Sequence, residues 1–167
     1  MRWSETPQGR LATAASNLSS EGSHLEALEL LEGALNIKRD PLVLVHYGSV
    51  LRALRRYDEA EQALLAALEI DEDLSHGWNQ LGMLLQFREE FEKAALCYER
   101  SVKISPNVDI LTVLANVQLA FDPEKSLENA ERALSIDPDW AEARTILDAA
   151  EREIHRRSSE DLPGNNT

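Results

Sequence analysis

The sequence predicts an all-α chain, an α-solenoid of about four helix-turn-helix units closed by a C-terminal capping helix. Three observations predict it. A small residue recurs as Ala27, Ala60, Ala94 and Ser126, at separations of 33, 34 and 32. A second small residue recurs with an aliphatic after it, as Ala34-Leu35, Ala67-Leu68, Ser101-Val102 and Ala133-Leu134. Ile37, Ile70, Ile104 and Ile136 then close the four units. Such a period marks a stacked array, because one hairpin cannot bury both of its apolar faces and its neighbours must do so.

Residues 1–7 read as a loose lead-in, with Trp3 placed to fold back on the first helix. The repeated region spans 8–157, with units at about 8–40, 41–74, 75–108 and 109–140. The first helix, about 8–20, is broken by Glu21-Gly22-Ser23. Its partner carries Leu25, Leu28, Leu31 and Leu35 at spacings of three and four, which puts them on one helical face. Asp40-Pro41 supplies a cap and a proline at the first helical position, starting a helix that runs to about Arg55. The next helix begins at Asp58 and ends near Ile70.

Asp71-Glu72-Asp73 has the opening of a calcium loop, but its sixth position is His76 and its twelfth is Gly82, so it reads as a solvated acidic turn. Residues 75–108 form the clearest unit, with Gly82 and Ala94 as the small residues that let two helices approach. In the fourth unit Asn116 stands in the glycine place, the first helix covers about 107–120, and Asp122-Pro123 starts the second. Asp137-Pro138 is expected to start the capping helix, about 138–157, with Ala143, Ile146, Leu147, Ala150 and Ile154 inward and Glu142 among the charges opposite. The tail, 158–167, is polar and expected to be disordered.

Composition narrows the function classes. A formal net charge of −13 leaves no excess of Lys and Arg to neutralise phosphates, so nucleic acid is not an expected partner. The single cysteine, Cys97, excludes an internal disulfide framework and fits a reducing compartment. No secretory h-region and no run of 18 apolar residues is present, so the expectation is a soluble, acidic, cytoplasmic protein without membrane insertion. The N-x-[ST] triplets at Asn17 and Asn165 are then chance matches.

Trp78, Leu81, Gly82, Ala94, Tyr98 and Pro106 together resemble the tetratricopeptide repeat. Tyr47, Gly48, Tyr57, Ala60 and Ala67 repeat the resemblance in the second unit, whereas the first has Ala15 in the glycine place and the fourth is two residues short. The resemblance implies that the first helix of each unit lines a concave groove that holds a peptide or helix of another protein. Mapped onto this sequence, the groove residues include His46, Ser49 and Arg52 from unit two. Unit three gives His76, Asn79, Gln80, Met83, Gln86 and Phe87, and unit four Val113 and Val117. The expected trough is continuous and contains no carboxylate; Ile110 and Leu114 either face it or pack under the final helix.

Some relatives hold acidic chaperone tails through a carboxylate clamp of Lys, Asn and Arg. Here the clamp places hold Ala12, Ser16, His46, His76 and Gln80, so the clamp is absent. Catalysis, cofactors and metal are not expected either. Only His46 and His76 of the four histidines could share a site, no third ligand joins them, and Cys97 reads as a packed side chain. The sequence thus favours a non-catalytic adaptor for another protein; the alternative is a structural scaffold subunit that associates with itself or within a larger complex.

Overall fold

Three helices begin at a capped proline. Thr6 accepts from the Gly9 amide ahead of Pro7, Asp40 from Leu42 and Val43 ahead of Pro41, and Asp122 from Lys125 ahead of Pro123. The proline has no amide to leave unsatisfied, and the cap satisfies others. The computed structural model describes residues 2–160 and contains, among them, helices and no strand. The described helices are α1 (Pro7–Ser20), α2 (His24–Ile37), α3 (Pro41–Ala53), α4 (Tyr57–Ile70) and α5 (Ser75–Phe87), followed by α6 (Phe91–Ile104), α7 (Val108–Gln118), α8 (Pro123–Ile136) and α9 (Ala141–Glu160).

The chain divides into two compact units, one ending at Glu89 and the other beginning at Glu90, so the division falls between α5 and α6. In the first unit α1 packs on α2 and α3 on α4, α2 joins α3, and α4 joins α5. The leading helices α1, α3 and α5 also meet in sequence, forming one layer. The core under it is aliphatic: Leu31, Val43, Leu51 and Leu64 are wholly buried. Gly48 shows why a small residue recurs, since a Cβ there would lie 2.8 Å from Leu64 Cγ and 3.2 Å from the Ala60 carbonyl oxygen. In the second unit α6 packs on α7, α7 on α8 and α8 on α9, and the leading helices α7 and α9 also touch.

The lead-in is ordered rather than loose. Trp3–Glu5 form a 3-10 turn packed on α1, and Trp3 reaches past α1 to α3, where its indole Nε1 donates to Asp40 Oδ2 at 3.1 Å. Asp40 therefore caps α3 with one carboxylate oxygen and anchors the N-terminal turn with the other.

The small-residue column of the fourth unit belongs to Ala115, not Asn116. Ala115 is fully buried, and its carbonyl accepts from Ser126 Oγ at 2.7 Å, whereas Asn116 is exposed. The cause is one residue missing before the helix: α7 follows Asn107, 33 positions after the Leu74 that precedes α5. One residue turns a helix face by about 100°, so every position of this helix read with a 34-residue spacing moves off its face.

Asp137-Pro138 also departs from expectation. Asp137 Oδ1 accepts from the Asp139 amide, and the helix begins only at Ala141. Asp71 does the same to Asp73 before α5. Thus α9 is entered as a leading helix is entered. It runs through Ser158 to Glu160, three residues beyond its expected end, and the rest of the polar tail lies outside the described residues.

Candidate partner-binding faces

In the first unit, α3 and α5 bring most of the residues marked in the sequence onto one layer. The His46 and His76 rings lie 6.0 Å apart, and the Trp3 ring stacks on the other side of His46 at 6.4 Å and 20°. Burial lowers the pKa of His46, and the His76 charge lowers it further. His76 is exposed on its outer side, but the covered side costs solvation and its pKa is lowered too. Both rings are therefore held toward the neutral form, with one nitrogen donor and one acceptor each.

On the same two helices Arg52 Nε and Gln80 Oε1 are buried and make no hydrogen bond among the described residues. Atoms so enclosed cost about 1–3 kcal/mol each when dry, and they lie out of a partner's direct reach. The Ser49 hydroxyl donates to the Val45 carbonyl at 3.0 Å. Asn79, Met83 and Gln86 are half-buried. Phe87 is 64% exposed, with its ring 5.9 Å from that of Tyr57.

The second unit presents a different surface. Thr112, Val113, Asn116, Glu142, Thr145 and Ile146 line a hollow of about 360 Å³ between α7 and α9. Val113 is exposed, but Val117 and Leu114 are buried, so the core and not a partner receives them. Spacing with 33 residues from His76, Asn79, Gln80 and Met83 gives Asp109, Thr112, Val113 and Asn116, three of which line the hollow. The hollow holds a carboxylate: Glu142, read from the sequence as outward-facing, lines it. Sequence reasoning missed Thr112, Asn116 and Glu142; the shortened stretch before the fourth unit was the available signal.

No group of three His, Cys, Asp or Glu side chains among the described residues could hold a metal ion. Burial raises the Cys97 thiol to about 11, far from a reactive thiolate. No helix among the described residues is long and apolar enough to cross a membrane.

Residues 43–74 and 75–108 each match the family profile of the tetratricopeptide repeat. Tetratricopeptide repeats therefore occupy these two stretches of the chain. The chain is similar over 98 residues to mouse protein O-mannosyl-transferase TMTC1, at 31% identity, covering 56% of this chain and 10% of that protein. The chain thus spans about a tenth of the length of the curated relative it matches. Among solved structures, the APC/C hetero-tetramer Cut9-Hcn1 superposes with a TM-score of 0.75 at 20% identity, over 86% of this chain and 29% of that one. The first tetratricopeptide domain of Spaghetti (RPAP3), bound to the HSP90 peptide SRMEEVD, superposes at 0.62 and 17% identity, over 68% and 91%. These likenesses are to the fold. Tetratricopeptide repeats generally mediate protein–protein contact, and the neighbours include a complex subunit and a peptide receptor.

Proposed function

We propose that this protein is a non-catalytic, cytoplasmic adaptor whose leading helices hold a peptide or helix of a partner protein. The observation that carries this is the mixed face that α3 and α5 present together, with the His46 and His76 rings 6.0 Å apart and Phe87 64% exposed. The imidazoles and the Asn79 and Gln80 amides can bond an extended peptide's backbone, while Met83 and Phe87 take an apolar side chain. The test replaces His76, Asn79, Gln80 and Phe87 by alanine together and captures partners from the native cell. Loss of a specific partner from an otherwise folded variant is the expected outcome; unchanged recovery removes this face from consideration.

The second reading is a structural subunit that associates with itself or within a larger complex. It rests on the isoleucines that end each unit: Ile37, Ile70 and Ile136 are each about half exposed and Ile104 somewhat less. Light scattering over a rising concentration series separates the readings, since a strict monomer throughout counts against self-association.

A further inference from the structure

The hollow between α7 and α9 has an apolar floor and one unpaired charge on its rim. Thr112 Oγ1 donates to the Val108 carbonyl at 2.7 Å and Thr145 Oγ1 to that of Ala141 at 2.9 Å. Both hydroxyls are spent on their own helices. The threonines add mainly methyl surface to that of Val113 and Ile146. Glu142 and Asn116 are exposed, and neither side chain has a hydrogen bond or ion pair among the described residues. No cation stands within one turn of Glu142 on the lining face, because the residues three and four beyond it are Thr145 and Ile146.

We infer that this hollow is a receptor for a cationic side chain, lysine or arginine, of a partner protein. The inference rests on the adaptor reading above and names the chemistry one part of that surface selects. The methylene stem of a long basic side chain lies on Val113, Ile146 and the threonine methyls, as such stems do on apolar surface. Its charged head reaches the Glu142 carboxylate and donates to Asn116 Oδ1. A neutral aliphatic side chain would use the floor and leave the carboxylate unengaged. The formal charge of −13 adds a long-range field that draws a basic segment in. Glu142 also lies in the first turn of α9, where a helix dipole favours a carboxylate. That explanation serves equally for Glu124 on α8, and it does not account for a carboxylate over an apolar hollow.

The experiment uses the full chain, 15N-labelled, titrated with Nα-acetyl-lysine methylamide, its arginine counterpart and the uncharged norleucine counterpart. The lysine or arginine ligand should produce saturable shifts at the backbone amides of Val113, Asn116 and Thr145. A millimolar dissociation constant is the scale for a ligand of about a dozen heavy atoms. Glu142→Gln should weaken it roughly three- to tenfold, while leaving the thermal melt unchanged within a degree or two. Equal binding of norleucine, no effect of Glu142→Gln, or no shift at tens of millimolar ligand each overturns the inference. Failure here leaves the adaptor reading standing if the α5 variant still loses its partner. Failure of that capture with the lysine shifts intact removes the adaptor face and not the pocket.

Discussion

The leading-helix faces of the two units occupy equivalent helix positions and differ in chemistry. Positions that carry His76, Asn79, Gln80 and Met83 on α5 carry Asp109, Thr112, Val113 and Asn116 on α7. The first face combines imidazole, amide and one buried guanidinium nitrogen without a carboxylate among its mapped residues; the second combines aliphatic surface with carboxylates. The backbone contribution is the same in both. Small residues bring each hairpin together at Gly48 against α4 and at Ala115 against Ser126, and the helix exposes whatever side chains point the other way. The fold therefore sets where a partner can lie, and the outward positions set which partner chemistry is accepted.

The comparison holds only if α7 is aligned with a spacing of 33, and its largest test addresses that. Ala115→Leu should overfill the α7–α8 contact and cost about 1–3 kcal/mol. Asn116→Leu, on the open side, should stay within about 0.5 kcal/mol of the parent. Urea unfolding of the two variants decides it: the reverse order would restore the 34-residue spacing and put Val117 back on the open side.

Legibility followed the strength of packing. The class, the hairpins and the small-residue columns could be read because Ala27, Ala60 and Ala94 must be small wherever two helices touch, and all three are wholly buried. The helix starts at Asp40-Pro41 and Asp122-Pro123 were legible for an equally local reason, a cap and a fixed φ. Asp137-Pro138 has the same two residues, but its carboxylate takes the Asp139 amide, two residues on, where Asp40 and Asp122 each take one three residues on, and the helix begins only at Ala141. Trp3 illustrates what local reasoning omits: its partners Asp40 and His46 are some forty residues distant, and nothing in the first seven residues specifies them. The open-side residues of α7 were misread because a one-residue deletion leaves the hydrophobic pattern intact while rotating the face.

The first face should respond to pH. Both His46 and His76 have folded-state pKa values below the ordinary 6.5. The unfolded chain therefore takes up protons first as pH falls. The neutral pair stabilises the fold fully above 6.5, and that contribution is lost progressively from there down through the lowered folded values. Denaturant midpoints measured from pH 8 to 5 should fall more steeply for the parent than for His46→Gln/His76→Gln. Parallel profiles would mean that the two rings are not desolvated together.

The smallest effect concerns how the hairpins close. In the first unit Gly22, Arg55 and Glu89 occupy equivalent places, 33 and 34 residues apart, with φ of 88°, 60° and 62°. The Arg56 amide reaches back to the Leu51 carbonyl and the Arg55 amide to that of Arg52, as Ser23 and Gly22 do to Leu18 and Ser19. This left-handed helix ending suits glycine, because any other residue brings its Cβ against the following carbonyl. The second unit closes α7 to α8 through Asp122-Pro123 with no positive φ, so it has no such position to relieve. Arg55→Gly relieves about 1 kcal/mol of strain, offset in part by the greater freedom glycine regains on unfolding. A net gain of roughly 0.5 kcal/mol should remain. Gly22→Ala should lose a comparable amount, since its φ leaves a side chain strained even in open space. A melt in which Arg55→Gly is destabilised would mean that the arginine side chain contributes more to the turn than its backbone costs.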